Sequence, residues 1–114
     1  MKLDRISLSP GTVTLAELGR VWTGDAAAGI GAGARPAVEA SAARVAVTAA
    51  GSEAVYGVNT GFGKLASVKI ASADTASLQR NLILSHCCGV GDPPAGGIVG
   101  LLMLLQALSA AGGG

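Results

Sequence analysis

The chain has 114 residues, 50% of them hydrophobic and only 3% aromatic, with 8 basic and 7 acidic side chains. The charges are scattered singly, and without a basic patch the composition argues against a nucleic-acid partner. The most apolar stretch, Ile98 to Ala111, is shorter than the roughly 20 residues that cross a bilayer as a helix, so no membrane partner is predicted.

The N-terminal part predicts a short strand followed by a short helix. Residues 6–8 alternate as a strand would, and Pro10 with the next glycine turns the chain. Thr14 can cap a helix, with Glu17 three residues later at the spacing of a capping box. Residues 24–34 form a Gly/Ala tract with little to pack, and this tract is predicted to be a loop.

Two helices are predicted in the middle of the chain. Pro36 suits the first turn of a helix that runs to about Ala50. A glycine-rich loop follows, and Ser72 or Asp74 can cap the next helix, which carries His86 on the same side as two leucines. The sequence therefore predicts a mainly α fold with a short N-terminal β element.

The last predicted helix, residues 95–111, is apolar on every side. Such a helix is typical of complete burial. A chain of 114 residues has little to cover it. The pattern therefore predicts that the helix packs against a partner or against a further part of the protein.

Residues 29–34 fit the pattern G-x-G-x-x-A of dinucleotide-binding loops. That fingerprint depends on a strand immediately before it and an acidic residue at a fixed distance after it. No strand is predicted here, so the pattern is interpreted as chance.

The most informative segment is the loop 55–64, which holds the only tyrosine and the only phenylalanine. Glycines at three positions allow the backbone to approach a ligand closely and the loop to move. The segment is therefore interpreted as a lid that carries one phenol, Tyr56. The alternative is an ordinary glycine-rich turn in which the tyrosine only anchors the loop.

Residues 56–63, Tyr-Gly-Val-Asn-Thr-Gly-Phe-Gly, closely resemble the signature loop of the histidine/phenylalanine/tyrosine ammonia-lyase family. The resemblance runs from about Ile6 to Pro93. Its further blocks are Leu-Ala-Glu-Leu at 15–18, Arg-Pro-Ala-Val-Glu-Ala-Ser at 35–41, Leu-Ala-Ser at 65–67, Leu-Gln-Arg-Asn-Leu-Ile-Leu-Ser-His at 78–86 and Gly-Val-Gly at 89–91. The chain is interpreted as a single N-terminal region of such an enzyme, with an incomplete part of the family's helical fold.

The resemblance implies a chemistry for two residues. Tyr56 corresponds to the tyrosine that takes the β-proton when ammonia is eliminated, and His86 to a residue that contacts the substrate side chain. Relatives that act on phenylalanine usually carry another residue at the second position, so His86 favours histidine as substrate, with urocanate as product, and tyrosine as second choice. Without the resemblance, a lone histidine on an apolar helix face would be interpreted as a packed core residue.

The family's electrophile is a methylidene-imidazolone that an Ala-Ser-Gly tripeptide makes from its own backbone. Ala-Ser occurs four times here, and the following residue is never glycine; it is Ala42, Val68, Ala73 or Leu78. The 114 residues are therefore expected to form no prosthetic group and to be inactive alone. The alternative to an enzyme segment is a truncated, non-catalytic remnant or an interaction module of the same family.

Cys87 and Cys88 are the only cysteines. Neither has a distant partner for a disulfide and no secretory start is visible, so a cytoplasmic protein is predicted. The resemblance implies a role in histidine catabolism. A metal site with His86 is not predicted, because consecutive helical residues point about 100° apart; the cysteines are expected to be small buried residues. The resemblance also implies a homotetramer for the full-length family.

Overall fold

The computed structural model describes residues 3–112, and most of them lie in helices. The prediction of a mainly α chain with a short N-terminal β element is confirmed. The elements are β1 Asp4–Leu8, α1 Leu15–Trp22, β2 Ala26–Ile30, α2 Arg35–Ala50, α3 Thr75–His86 and α4 Gly96–Ala111, with short 3-10 turns at 32–34, 63–65 and 72–74.

The described residues form two compact units. The first unit contains the chain up to Ser41 and again from Asp92 onward, and the second runs from Ala42 to Gly91. Helix α2 begins in the first unit and ends in the second.

In the first unit, β1 and β2 pair in parallel, with Asp4 opposite Ala26 and Leu8 opposite Ile30. A parallel pair needs a crossover connection, and α1 provides it. The prediction of a loop over residues 24–34 was wrong for the part that forms β2. Its sequence Ala-Ala-Ala-Gly-Ile has low strand propensity, and the hydrogen-bonding partner β1 supplies what the local sequence lacks.

Strand β2 overlaps the glycine pattern at residues 29–34, which was interpreted as chance because no strand was predicted there. A strand is present there, contrary to the prediction, but it includes Gly29 itself. The dinucleotide fingerprint needs its glycines in the loop after the strand, so the pattern still lacks the required geometry.

The start of α1 agrees with its sequence. The Thr14 hydroxyl accepts a hydrogen bond from the Glu17 backbone N–H at 3.3 Å, and the Glu17 carboxylate accepts from the Thr14 backbone N–H at 2.8 Å. This capping box holds the pKa of Glu17 below its ordinary value, because the backbone N–H and the hydroxyl of Thr14 both stabilise the carboxylate.

Helix α1 is also tied to β1 by an ion pair, in which Arg20 donates to the Asp4 carboxylate at 2.6 Å. The hydrogen bond and the charge of Arg20 hold the pKa of Asp4 below its usual range. Both side chains are largely exposed, so the pair orients the two elements more than it stabilises them.

Helix α4 packs against α1 and β2, and the buried apolar side chains of the first unit are Leu8, Ala26 and Leu108. The approach to α1 is close at Gly97, where a Cβ would stand 2.7 Å from the carbonyl oxygen of Trp22. Most of the helix surface stays open, and its exposed large side chains are Ile98, Val99, Leu102, Met103 and Leu105. No helix among the described residues is long and apolar enough to cross a membrane.

In the second unit, the end of α2 is followed by a series of turns and then by α3. The predicted side-chain cap of α3 is wrong. Asp74 occupies the N-cap position but its side chain makes no capping hydrogen bond, and the Ser72 hydroxyl instead donates to the Ala49 carbonyl at the end of α2. The tertiary contact with α2 competes with the local cap for the serine hydroxyl.

Candidate functional site

The loop between α2 and α3 presents the tyrosine predicted as the reactive group. Tyr56 lies in a turn and is 63% exposed. The turn continues through Gly57, whose φ of +82° is a conformation that side chains with a Cβ rarely adopt. The Tyr56 ring meets the edge of Phe62, with ring centroids 5.7 Å apart and planes inclined by 67°. The two aromatic residues of the loop therefore orient each other while the phenol remains accessible.

Asn59, which is completely buried, anchors the loop through side-chain hydrogen bonds. Its side-chain oxygen accepts from the Val55 backbone N–H at 2.8 Å, and its amide nitrogen donates to the Glu53 carbonyl at 2.9 Å and the Thr48 carbonyl at 3.4 Å. These bonds link the last turn of α2 to the residue before Tyr56. Asn59 thus fixes the backbone from which the phenol projects.

The second half of the loop is fixed by backbone pairing. Thr60 is buried and forms an isolated antiparallel bridge with Lys69, and the Ile70 N–H donates to the Asn59 carbonyl at 2.8 Å. At Gly61 a Cβ would stand 2.6 Å from the Leu65 Cβ and 2.7 Å from its carbonyl oxygen. A side chain at this position would force the turn apart, so glycine is required here for space.

Helix α3 contacts the tyrosine loop through Gln79, whose side-chain amide donates to the Gly57 carbonyl at 3.1 Å. His86 follows about two helical turns later on the same side of α3, on the order of 10 Å along the axis. Tyr56 and His86 thus belong to one compact unit, and Gln79 ties the turn after Tyr56 to the helix that ends at His86. The hydrogen bonds and ring contacts of each residue involve other neighbours, and none joins the two side chains directly.

The hydrogen bonds of His86 define its neutral tautomer. Nδ1 lies 2.8 Å from the Leu82 carbonyl oxygen, which can only accept, so Nδ1 carries the proton. The Ser85 hydroxyl, 3.0 Å from Nδ1, donates its own proton to the same carbonyl and is an acceptor toward the imidazole. In this tautomer Nε2 is a hydrogen-bond acceptor, and His86 as a residue is exposed at the end of α3. The structure does not make His86 a packed core residue, the interpretation it would have without the family resemblance, because His86 is exposed. In this tautomer its ring can bind a donor group.

Beyond His86 the structure differs from the prediction. Cys87 and Cys88 are both free and both exposed, whereas small buried residues were expected. Helix α3 ends at His86, and the Cys87 backbone at φ −84° and ψ +57° is no longer helical. The helical 100° spacing used to separate the three side chains therefore does not apply here. Within residues 3–112, no cluster of three metal-ligating side chains is assembled.

The residues of this chain do not fit the family's prosthetic group. Two of the four Ala-Ser pairs lie inside α2 and α3, at Ser41 and Ser77, where the backbone is committed to helical hydrogen bonds. The others, at Ser67 and Ser72, lie in or beside short turns, and none of the four is followed by glycine. No step of chemistry through that group can be derived from these residues.

Sequence reasoning missed the supporting residues Asn59, Thr60 and Gln79. All three lie inside the blocks that carry the family resemblance, which was the available signal. Their roles depend on burial and on hydrogen bonds to backbone atoms far along the chain, and these cannot be read from local sequence.

Comparison with known proteins supports the family resemblance. Residues 13–114 match the sequence profile of the family described as aromatic amino acid lyase. Over 104 residues the chain is 55% identical to a histidine ammonia-lyase from Roseobacter denitrificans. The aligned part is 91% of this chain and 20% of the relative. The chain thus spans about a fifth of the length of the curated relative that it matches.

Proposed function

This chain belongs to the aromatic amino acid lyase family, and on that premise we propose that it is the N-terminal segment of an enzyme that eliminates ammonia from L-histidine to give urocanate. The observation that carries the proposal is the 55% identity to a histidine ammonia-lyase over nearly the whole chain, which includes the loop of Tyr56 and the end of α3 at His86. Histidine, rather than another aromatic amino acid, is the substrate named for that relative.

In this proposal Tyr56 accepts the proton that leaves the β-carbon of the substrate. Its phenol is accessible, and its backbone is fixed on both sides by Asn59 and by the Gly57 carbonyl bond to Gln79. A phenol accepts a proton poorly at neutral pH unless its surroundings favour the phenolate, so closure of the loop over the substrate would be part of the step. The anchored Asn59 confines that movement mainly to the turn of Tyr56 and Gly57.

His86 recognises the side chain of the substrate. In the neutral tautomer whose Nδ1–H donates to the Leu82 carbonyl, Nε2 can only accept. An acceptor suits the imidazole N–H of histidine, or the hydroxyl of tyrosine, and gains nothing from the phenyl ring of phenylalanine. This asymmetry supports histidine or tyrosine over phenylalanine as the substrate, and the resemblance of the Ser85-His86 pair to the histidine-specific branch favours histidine.

The remaining components lie outside these residues. The electrophile that activates the substrate would be made from an Ala-Ser-Gly sequence that this chain lacks. We further propose a cytoplasmic homotetramer as the complete assembly, in which the exposed apolar surface of α4 is covered by other helices of the enzyme.

A chimeric enzyme tests the proposal. Residues 13–114 of this chain replace the matching segment of the Roseobacter histidine ammonia-lyase, and urocanate is followed by its ultraviolet absorbance. We expect the chimera to be active on histidine. Tyr56→Phe should lower kcat at least ~10²-fold, the usual scale for loss of a general base. His86→Ala should mainly raise KM, as expected when a contact binds ground state and transition state alike.

Three different results with the chimera would contradict three different parts of the proposal. Near-normal kcat in the Tyr56→Phe variant would remove Tyr56 from the mechanism. An unchanged KM for histidine in the His86→Ala variant would remove His86 from the binding site. A correctly assembled chimera that eliminates ammonia from phenylalanine and not from histidine would contradict the substrate assignment. Asn81→Ala, an exposed change on α3 outside both contacts, serves as the matched control and should leave both constants unchanged.

A further inference from the structure

The structure presents two adjacent thiols that the proposed function does not use. Cys87 and Cys88 follow the last residue of α3, and both are free and exposed. The Cys87 side chain makes a weak S–H contact to the Leu84 carbonyl at 3.5 Å. Gly89 follows directly, and Gly91 has a φ of +86°, a conformation that favours glycine. The segment after the thiols is exposed.

Adjacent cysteines are poorly suited to a disulfide but well suited to a larger bridging atom. Their Cα atoms are about 3.8 Å apart across a trans peptide, which is shorter than the 4.4–6.8 Å usual for a disulfide. Two sulfurs bound to one thiophilic atom at about 2.3 Å each lie roughly 3.3–3.8 Å apart. That separation is much longer than the ~2.05 Å S–S bond of a disulfide, so a ring closed through the larger atom is less constrained. Because the chain leaves the helix at Cys87, the two side chains are not held in the 100° arrangement that would separate them.

We propose that Cys87 and Cys88 form a two-thiol binding site for trivalent arsenicals and similar thiophilic metalloid compounds. With an arsenoxide, each thiol forms one As–S bond, the As–O double bond is lost, and the oxygen leaves as water with the two thiol protons. Arsenic and sulfur keep their oxidation states, so no oxidant or reductant is needed. The site adjoins His86, and a bound arsenical would stand next to the residue proposed to contact the substrate.

Two thiols on one arsenic bind far more tightly than one, because closure of the second bond is intramolecular. The effective concentration of a neighbouring thiol raises the affinity by about 10²-fold or more over that of a single cysteine. The site therefore predicts a one-to-one complex that a dithiol competitor removes and a monothiol does not.

The experiment uses the reduced 114-residue chain under native conditions, with phenylarsine oxide as the probe and intact-protein mass spectrometry as the readout. We expect one phenylarsenic group per chain with loss of one water, removed by dimercaptopropanol but not by an equal thiol concentration of mercaptoethanol. Cys87→Ala and Cys88→Ala should each weaken binding by about 10²-fold. His86→Ala keeps both thiols and should bind as the parent does.

Alkylation with N-ethylmaleimide provides the control for accessibility and should modify two thiols in the native chain. Two arsenicals per chain, or equal affinity in the single-cysteine variants, would show independent thiols and overturn the proposal. Alkylation that reaches both cysteines only after addition of denaturant would overturn it as well, because the site requires both thiols to be exposed. None of these results depends on lyase activity, so failure here leaves the proposed function untouched.

Discussion

A charged substitution on the exposed face of α4 should weaken self-association of the chain. Leu102 is 54% exposed and lies beside Trp22, Ile98 and Leu105 in one contiguous apolar patch of the first unit. Leu102→Glu places a carboxylate within this patch. The isolated chain is expected to be oligomeric, aggregated or loosely packed, because its own residues leave this surface uncovered.

The magnitude follows from the exposed part of Leu102, which is about half of its side chain. Full burial of a leucine contributes about 1.5–3 kcal/mol, so the exposed half of Leu102 accounts for roughly 0.8–1.6 kcal/mol of association. Its loss should raise the dissociation constant roughly 4- to 15-fold, before the cost of burying a carboxylate is added.

Multi-angle light scattering and sedimentation over a concentration series measure the effect. Val90→Glu provides the matched control, since Val90 is completely exposed (102%) but stands alone in the loop between α3 and α4, and the substitution adds the same charge. We expect the control to associate as the parent does. A monodisperse monomer with a sharp, cooperative thermal transition would refute the reasoning about the uncovered surface, and equal weakening by both variants would refute the role of α4.

Two further predictions concern activity and acid. The purified 114-residue chain should release no urocanate from histidine and no cinnamate-type product from phenylalanine or tyrosine, because it lacks Ala-Ser-Gly; product absorbance above a protein-free control would contradict this. The pKa values of Asp4 and Glu17 are lowered from their ordinary values of 3.8 and 4.5, so the stability they contribute is present above those values and is lost as pH falls through the lowered pKa values of the folded chain. Because both carboxylates lie at the surface, the loss should be small. Helix content measured by circular dichroism should fall slightly in this pH range, and the Asp4→Asn, Glu17→Gln double variant should show a smaller fall; an identical acid profile in the double variant would show that these two carboxylates do not contribute.

The local sequence determined the features that depend on nearest neighbours. The capping box at Thr14 was visible because both of its partners lie within one turn of a helix. The end of α2 at Ala50 was readable from the glycine that follows it, and the run of apolar residues from Ile98 predicted α4. The family was likewise evident from the contiguous residues 56–63, whose order needs no three-dimensional context.

Tertiary structure decided the features that depend on distant partners. Strand β2 exists because β1 pairs with it, although its own Ala-Ala-Ala-Gly-Ile sequence favours no strand. Asn59 becomes the anchor of the tyrosine loop only when Thr48 and Glu53 come within hydrogen-bonding distance of its buried amide. The cysteines are exposed because α3 ends at His86 and nothing in their unit packs over them. The local sequence predicted small buried residues there, because it does not show where the packing of α3 ends. Local signals act through a few successive residues, whereas pairing and burial are set by residues far apart in the chain, and for that reason only the folded structure reveals them.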